Sequence, residues 1–463
     1  MIIDVLVADI GSTTTKVMAF DGIGGGQPKY IGQGFALTSI RQGDVTIGLH
    51  EAIEYLRNRL GVDRIEARET YACSSAAGGL KMSVHGLVYD MTVRAAKEAA
   101  LGAGANLKMI TAGLLLAEDL ERIQAAGLNI IMIAGGVDHG ERATAIANAT
   151  AIARLRLDVP VIYAGNVDGH DAVRAAFKES GQEAFLTIST NVYPQLDVLA
   201  VEAARMVIQN VFETHIIKAP GMEKIRSLVN GIIIPTPGAV MNAAILLREK
   251  IGDLVVADVG GATTDIHSVT EGDEMTAKRA LAPEPVAKRT VEGDLGVYVN
   301  RQNLVMITGT ATLAKNLGIT EPALSALLDQ YQPLPSPAQI PVVEQLTRIA
   351  LETALGRHAG ALVSVFGTTG MTTCAVGRDL SSVRHVIGTG GALTRLPHGI
   401  EMLAGMILTA DKKRLYPPPT VAFSVDSDYI MAACGAIASK YPKAALCLLG
   451  ASLGIEVSSC IRD

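Results

Sequence analysis

The chain opens on an apolar run, "IIDVLVADI", that stops at Asp9, breaks at Gly11 into four successive hydroxyl residues and resumes as "KVMAF". Two strand-length runs joined by such a turn predict a hairpin. Further on, the short β-branched runs "LNIIMIAGG", "VPVIYAG" and "EAFLTISTN" alternate with helical stretches, "ERATAIANATAIARLRL" and "HDAVRAAFKESG". Strands that are apolar throughout fit a parallel or mixed sheet covered by helices on both faces, so the pattern predicts α/β units. "LDVLAVEAARMVIQNVFETHII" predicts one long helix, and "VNGIIIPTPGAVMNAAILLREKIGD" a strand, a Pro/Gly turn and a helix. The stretch from about Pro283 to His358 predicts mostly helix, followed by strands at "ALVSVFG" and "SVRHVIG". "YPPPTVAF" is stiffened by Pro417, Pro418 and Pro419 and predicts an exposed connection.

The opening pattern returns. "LVADIGSTTTKV" is matched by "VVADVGGATTDI", so that Asp9 corresponds to Asp258, Gly11 to Gly260, and Thr14 and Thr15 to Thr263 and Thr264. A second correspondence joins "IIMIAGGVDHG" to "HVIGTGGALTR", both β-rich runs ending in a Gly-Gly pair, with coincidence among many glycines as the alternative. The chain therefore reads as a duplicated α/β protein of two lobes. The N-terminal lobe covers 1–250 and holds the first hairpin, with an extra βαβ segment at about 138–230; the C-terminal lobe covers 251–463. The extra segment is either a surface for a protein partner or additional scaffold.

Composition narrows the class without naming a chemistry. With 463 residues, 49% hydrophobic, 19% charged and 4% aromatic, the chain is neither disordered nor a single small core. Its net charge of −6 comes with no basic cluster, so nucleic acid is not an expected partner. The cysteines, Cys73, Cys374, Cys434, Cys447 and Cys460, form no C-x-x-C pair and leave one over, which argues against a disulfide framework or a compact zinc site and favours reduced core thiols. No secretory leader pattern and no membrane-span-length apolar run stands out, so a cytoplasmic protein is expected.

The two glycine turns carry the candidate chemistry. Small residues let backbone N–H groups approach phosphate oxygens, hydroxyls add donors, and Asp9 and Asp258 are placed to hold Mg²⁺ or its waters. Asp265 is placed either to orient and deprotonate an attacking water or to hold its hairpin together. Lys16 stands where the second hairpin has Asp265, either neutralising phosphate charge or as a solvated strand lysine. Gly388, Gly390 and Gly391 form a strand-to-helix junction where a base or ribose can lie against bare backbone. No G-x-x-x-x-G-K-S/T loop and no completed G-x-G-x-x-G is present. Glu292 and Asp294 fit an acidic turn opening a helix or a cleft position. Ser74 and Ser75, ahead of Gly78 and Gly79, sit on a cleft or partner loop with no paired base. Asp138, His139 and Glu141 in "GVDHGE" offer metal-ligand types with no second cluster to complete a site.

"DIGSTTTK", "DVGGATTD" and "GTGGALTRLP" resemble, in order, the two phosphate motifs and the adenosine motif of the actin, Hsp70 and sugar-kinase superfamily. That resemblance implies a two-lobed actin-like ATPase fold of ribonuclease H-like halves, binding ATP with Mg²⁺. Gly11, Ser12, Thr13 and Thr14 would then wrap phosphate from one lobe, and Gly260, Gly261 and Thr263 from the other. Ala262 departs from the glycine usual there, and the spacing after Gly390-Gly391 is one residue longer than in the chaperone pattern. A narrower resemblance rests on "CSSAAGGLKMSVHGLVYDMTVRAAKEAALGAGA", "IAGGVDHGE", "IPTPGAVMNAA", "VADVGGATTDIHSV" and "RTVEGDLGVYVN". These together are similar to the glutamate mutase accessory protein family of the MutL/GlmL type, and the similarity runs over nearly the whole chain. It implies an ATP-dependent chaperone or reactivating factor whose client is an adenosylcobalamin-dependent mutase or aminomutase. The competing readings are a small-molecule kinase of the same superfamily, an ATP-dependent activator of a radical dehydratase, and a nucleotide-gated polymer.

Overall fold

In the computed structural model the chain is described over residues 1–39, 43–75, 80–102, 105–216, 222–231, 233–281, 284–367, 370–408 and 413–457. It divides into two compact units. The first takes in Met1–Ala76, Lys224–Leu281 and Val286–Asp463, and the second Ala77–Glu223 with Ala282–Pro285. The βαβ stretch read from the sequence at about 138–230 is thus the later part of a larger unit that begins near residue 77.

The first unit starts with strands β1 (Ile2–Ile10), β2 (Thr14–Asp21), β3 (Lys29–Leu37) and β4 (Glu66–Ser74). β1, β2 and β3 form an antiparallel meander, and β4 returns parallel to β1 after the helix Thr46–Leu60. That helix ends at Gly61, whose left-handed φ of 65° suits a residue without Cβ. The second unit contributes β5 (Leu80–Gly86), β6 (Ala105–Ala112), β7 (Ile130–Ile133), β8 (Val161–Tyr163) and β9 (Leu186–Ile188). All are parallel, in the order β6-β5-β7-β8-β9, with helices between them, which is the βαβ arrangement the alternating pattern predicts. Ile131, Ile133, Ala149, Ile152, Tyr163 and Phe177 are among its core residues.

Back in the first unit, β10 (Ile234–Pro235) pairs with β4 and runs straight into the helix Thr236–Ile251. Pro237 in that helix's first turn costs no hydrogen bond, because the first-turn N–H groups have no intrahelical partner. Then follow β11 (Leu254–Val259), β12 (Thr264–Val269), β13 (Ala287–Glu292), the hairpin β14 (Ala361–Gly367) and β15 (Gly370–Val376), β16 (His385–Thr389) and β17 (Ala422–Val425). The sheet orders are β3-β2-β1-β4-β10 and β13-β12-β11-β16-β17. In both, the first three strands are antiparallel and the last two join parallel. The two halves of this unit are therefore the same five-stranded motif used twice, and they share one core in which Val5, Val7 and Phe20 pack with Ala243, Val256 and Met431.

This topology corrects one correspondence. The strand equivalent to β16 is β4, not β7, so the Gly390-Gly391 pair is not a repeat of Gly135-Gly136. Both pairs follow a parallel strand entering a loop, a setting that selects small residues independently. Cys73 lies opposite Asp9 as Thr389 lies opposite Asp258, so the positions matching Gly390 and Gly391 are Ser74 and Ser75. A second correction concerns the mostly helical run from Pro283: it contains β13, hidden because Lys288 and Arg289 interrupt the apolar pattern, and becomes helical only from Arg301. Among the described cysteines Cys73, Cys374 and Cys434 are free thiols, whereas Cys447 is disulfide-bonded, which corrects the expectation of reduced thiols there. No helix among the described residues is long and apolar enough to cross a membrane.

Candidate functional site

The two hairpins place their residues in the same register: Asp9 lies opposite Lys16 on β2, and Asp258 opposite Asp265 on β12. Each turn is closed alike, by Gly11 N donating to Thr14 O at 3.0 Å and Gly260 N donating to Thr263 O at 2.9 Å. The turns also meet: a Cβ built on Gly261 would stand 3.0 Å from Thr13 Oγ1.

Most of their carbonyls are already satisfied. In the first turn Thr13 O accepts from Thr38 N, Gly11 O from Thr38 Oγ1, and Ile10 O from Ser75 N. In the second, Val297 N donates to Gly260 O, Tyr298 N and Val299 N donate to Gly261 O, and Asn300 Nδ2 donates to Ala262 O. Among the described residues the N–H groups of Ser12, Thr13, Gly261 and Ala262 have no backbone acceptor. Loops with carbonyls bound from one side and amides left over suit an anion, and phosphate fits that donor set. The adenosine-motif junction fits as well. Gly390 has φ 86°, and a Cβ there would lie 2.5 Å from Asp258 Oδ1, while one on Gly391 would project into open space. Gly388 stands apart: a side chain on it would meet Leu403 and Leu393, so its missing Cβ serves the packing of the helix Gly399–Leu408.

The carboxylates differ in their commitments. Asp9 is buried, with Oδ2 2.8 Å from Lys16 Nζ and Oδ1 accepting from Thr236 Oγ1 at 2.8 Å and from Cys73 Sγ at 3.3 Å. Lys16 is buried too, so it is not a solvated strand lysine; its Nζ also lies 3.3 Å from the centre of the Tyr429 ring. Burial by itself would lower the Lys16 pKa, but Asp9 and Tyr429 together hold it above the usual range. No hydrogen bond among the described residues engages the Asp258 carboxylate. Desolvation, with Asp9 and Asp426 nearby and Lys16 opposing, pushes its pKa up to about 6. Asp265 is 2% exposed, its Oδ1 has no hydrogen-bond partner, and burial pushes it up to about 8 against the pull of Arg289.

Other residues singled out in the sequence have local duties. Glu292 and Asp294 are both held by Arg357, at 2.6 and 2.7 Å. Ser75 O accepts from Ser12 Oγ, and Ser74 Oγ donates to Ile10 O, so both brace the first turn. Sequence reasoning passed over Thr236, Cys73 and Tyr429. Thr236 had a signal, since it lies in "IPTPGAVMNAA"; Tyr429 had none, although its φ of 55° marks it in the structure.

A duplicated five-stranded motif with a glycine turn after the first strand of each copy and a glycine junction after β16 defines an actin-like ATPase fold. The chain belongs to the MutL protein family, whose model matches residues 5–453. It is 37% identical to Protein MutL of Clostridium tetanomorphum over 455 residues, covering 95% of this chain and 97% of that one. Solved structures that overlap it include nucleotide-free acetone carboxylase, at 13% identity and TM-score 0.41, covering 94% of this chain and 70% of that one. They also include nucleotide-free diol dehydratase-reactivating factor, at 12% identity and TM-score 0.35, covering 95% and 99%.

Proposed function

We propose that this protein is an ATP-dependent reactivating factor for an adenosylcobalamin-dependent mutase or aminomutase, acting through nucleotide-driven motion of its two matching halves. The observation that carries the reading is the pair of facing glycine turns, most of whose carbonyls are bound from behind, in a chain of the MutL family. Gly11, Ser12, Thr13 and Thr14 hold phosphate from one half, and Gly260, Gly261 and Thr263 from the other. Gly390 and Gly391 take the adenosine. Asp258, with Asp9 behind it, is the side chain set to hold Mg²⁺ or its waters, and the ion when bound supplies positive charge beside the phosphates. Lys16 neutralises Asp9, which limits the negative charge an incoming phosphate meets. Asp265 orients the attacking water and accepts its proton, a task suited to a carboxylate whose pKa lies near neutrality.

A radical enzyme that has lost its adenosyl group holds damaged cobalamin in a closed site, and releasing it requires work on the protein. A nucleotide that closes two halves supplies that work only through different affinities for the open and closed client. The test uses a mutase loaded with a tightly held inactive cobalamin, with this protein, free coenzyme and Mg²⁺, with and without ATP. Recovery only with ATP, and none with Asp258→Ala, is the expected outcome. Hydrolysis without recovery of any candidate mutase would remove the client and leave a small-molecule kinase as the next reading.

A further inference from the structure

The second unit has its own place for a ligand. In the order β6-β5-β7-β8-β9 the first strand of the unit, β5, sits between the second and third, so the chain runs outward on either side of it. In open parallel sheets ligands lie outside the carboxyl ends of the strands at this switch point. The loop that follows β7 carries "GVDHGE", and most of its polar groups are already used. Asp138 Oδ1 accepts from Val167 N at 3.0 Å and Asn191 Nδ2 at 2.9 Å. Glu141 Oε1 accepts from Thr144 N and Thr144 Oγ1. The three residues therefore do not gather as a metal site, and no group of three His, Cys, Asp or Glu able to hold an ion occurs among the described residues.

His139 is different. Its side chain is 78% exposed, its backbone is left-handed at φ 61°, and its Nδ1 lies 3.2 Å from Asp168 Oδ1. Asn166 pins the loop, accepting from His139 N at 3.3 Å and donating to Gly140 O at 3.0 Å. A carboxylate on Nδ1 fixes the proton there and leaves the Nε2 lone pair outward, the arrangement of metal-binding histidines. One imidazole cannot hold a free ion, which needs three or four protein ligands. It suffices for a metal that arrives in a planar macrocycle with an axial position open. Exposed apolar side chains follow four of the five strands at this edge: Tyr89 after β5, Leu114 and Leu116 after β6, Val167 after β8, and Leu196 and Val198 after β9, each 42% to 68% exposed.

We infer that the carboxyl edge of this sheet binds a cobalt corrinoid, with His139 Nε2 as the axial ligand and the apolar rim against the ring. The choice of corrinoid rests on the proposed mutase client; the geometry of the site does not. Imidazole nitrogen replaces an axial water on cobalt, with no change of oxidation state and no proton transfer, since Nε2 is unprotonated in this tautomer.

The test mixes the full chain with cobinamide, a corrinoid lacking its own nucleotide base, chemically reduced to Co(II), and records its electron paramagnetic resonance. Coordination by one nitrogen splits each cobalt line into a triplet. The triplet is expected with the native protein and absent with His139→Asn, a residue that tolerates the left-handed backbone. Asp168→Ala is expected to weaken binding by about tenfold or more. No triplet at saturating protein, or a triplet that survives His139→Asn, would overturn the site. A missing triplet alongside ATP-dependent mutase recovery removes the corrinoid site and leaves the client, whereas a triplet without recovery supports the site and removes the client.

Discussion

Lys16 Nζ lies 2.8 Å from Asp9 Oδ2 with both side chains buried, at the register position where the second hairpin sets Asp265 opposite Asp258. One hairpin thus carries a compensated ion pair and its copy carries two carboxylates. Removing one member of a buried pair leaves the other uncompensated and costs about 3–5 kcal/mol. Lys16→Met should therefore lower stability by about that amount in denaturant titrations, and adding Asp9→Asn should restore much of it. If the single and double variants were equally unstable, the pair would not be what Lys16 contributes.

Asp265 predicts a pH dependence of the nucleotide-free protein. Burial raises its pKa from 3.8 to about 8, so between those values the folded chain holds a proton that the unfolded chain has lost. Stability from this group falls as pH rises through that window, by at most about 1.4 kcal/mol per pH unit. Asp265→Asn stays neutral throughout and should show a flatter profile, with the gap between the proteins widening toward pH 8. Parallel profiles would place the ionised form in the native state. The same variant should bind ATP and hydrolyse it poorly.

The two turns of the candidate site were legible because close approach dictates residue type: a Cβ on Gly11 would stand 2.7 Å from Thr14 O, and one on Gly261 3.0 Å from Thr13 Oγ1. The duplication was legible in one hairpin and misread in the other pair, because a Gly-Gly after a parallel strand follows from loop packing as readily as from descent. The bracing network was not legible. Thr236 reaches Asp9 across 227 positions, and Tyr429 reaches Lys16 from a residue whose type is unsuited to its left-handed backbone. Such contacts are set by tertiary packing, with no periodicity to announce them. The parallel order of the second unit was visible only as alternating runs, which give strand number and not neighbours.

His85 gives the opposite pH dependence in the second unit. It is buried between Ser83 Oγ and Thr111 Oγ1, each at 2.8 Å, and desolvation lowers its pKa from 6.5 to about 4. Between those values the unfolded chain binds a proton that the folded chain refuses, so stability falls as pH drops, by roughly 3 kcal/mol over the window. Amide protection factors in β5 and β7, taken relative to the intrinsic exchange rate at each pH, should fall on acidification from pH 6.5 to 4. His85→Gln, which cannot take up a proton, should remove that fall. Protection that falls equally in both proteins would assign the acid sensitivity to another group.

Gly390 and Gly391 are adjacent and should fail differently. Gly390 has φ 86°, and a side chain would collide with Val259 O, so Gly390→Ala strains the backbone and should cost about 1–3 kcal/mol of stability. Gly391 has nothing within 4 Å of a Cβ, so Gly391→Ala leaves the fold untouched. Its methyl group enters the space assigned to the adenosine, and the expected result is an unchanged unfolding temperature with ATP affinity reduced about tenfold, close to 1.4 kcal/mol. Thermal unfolding paired with titration of a fluorescent ATP analogue in Mg²⁺ separates the two variants. Full ATP affinity in Gly391→Ala would move the adenosine away from this junction while leaving the phosphate turns in place.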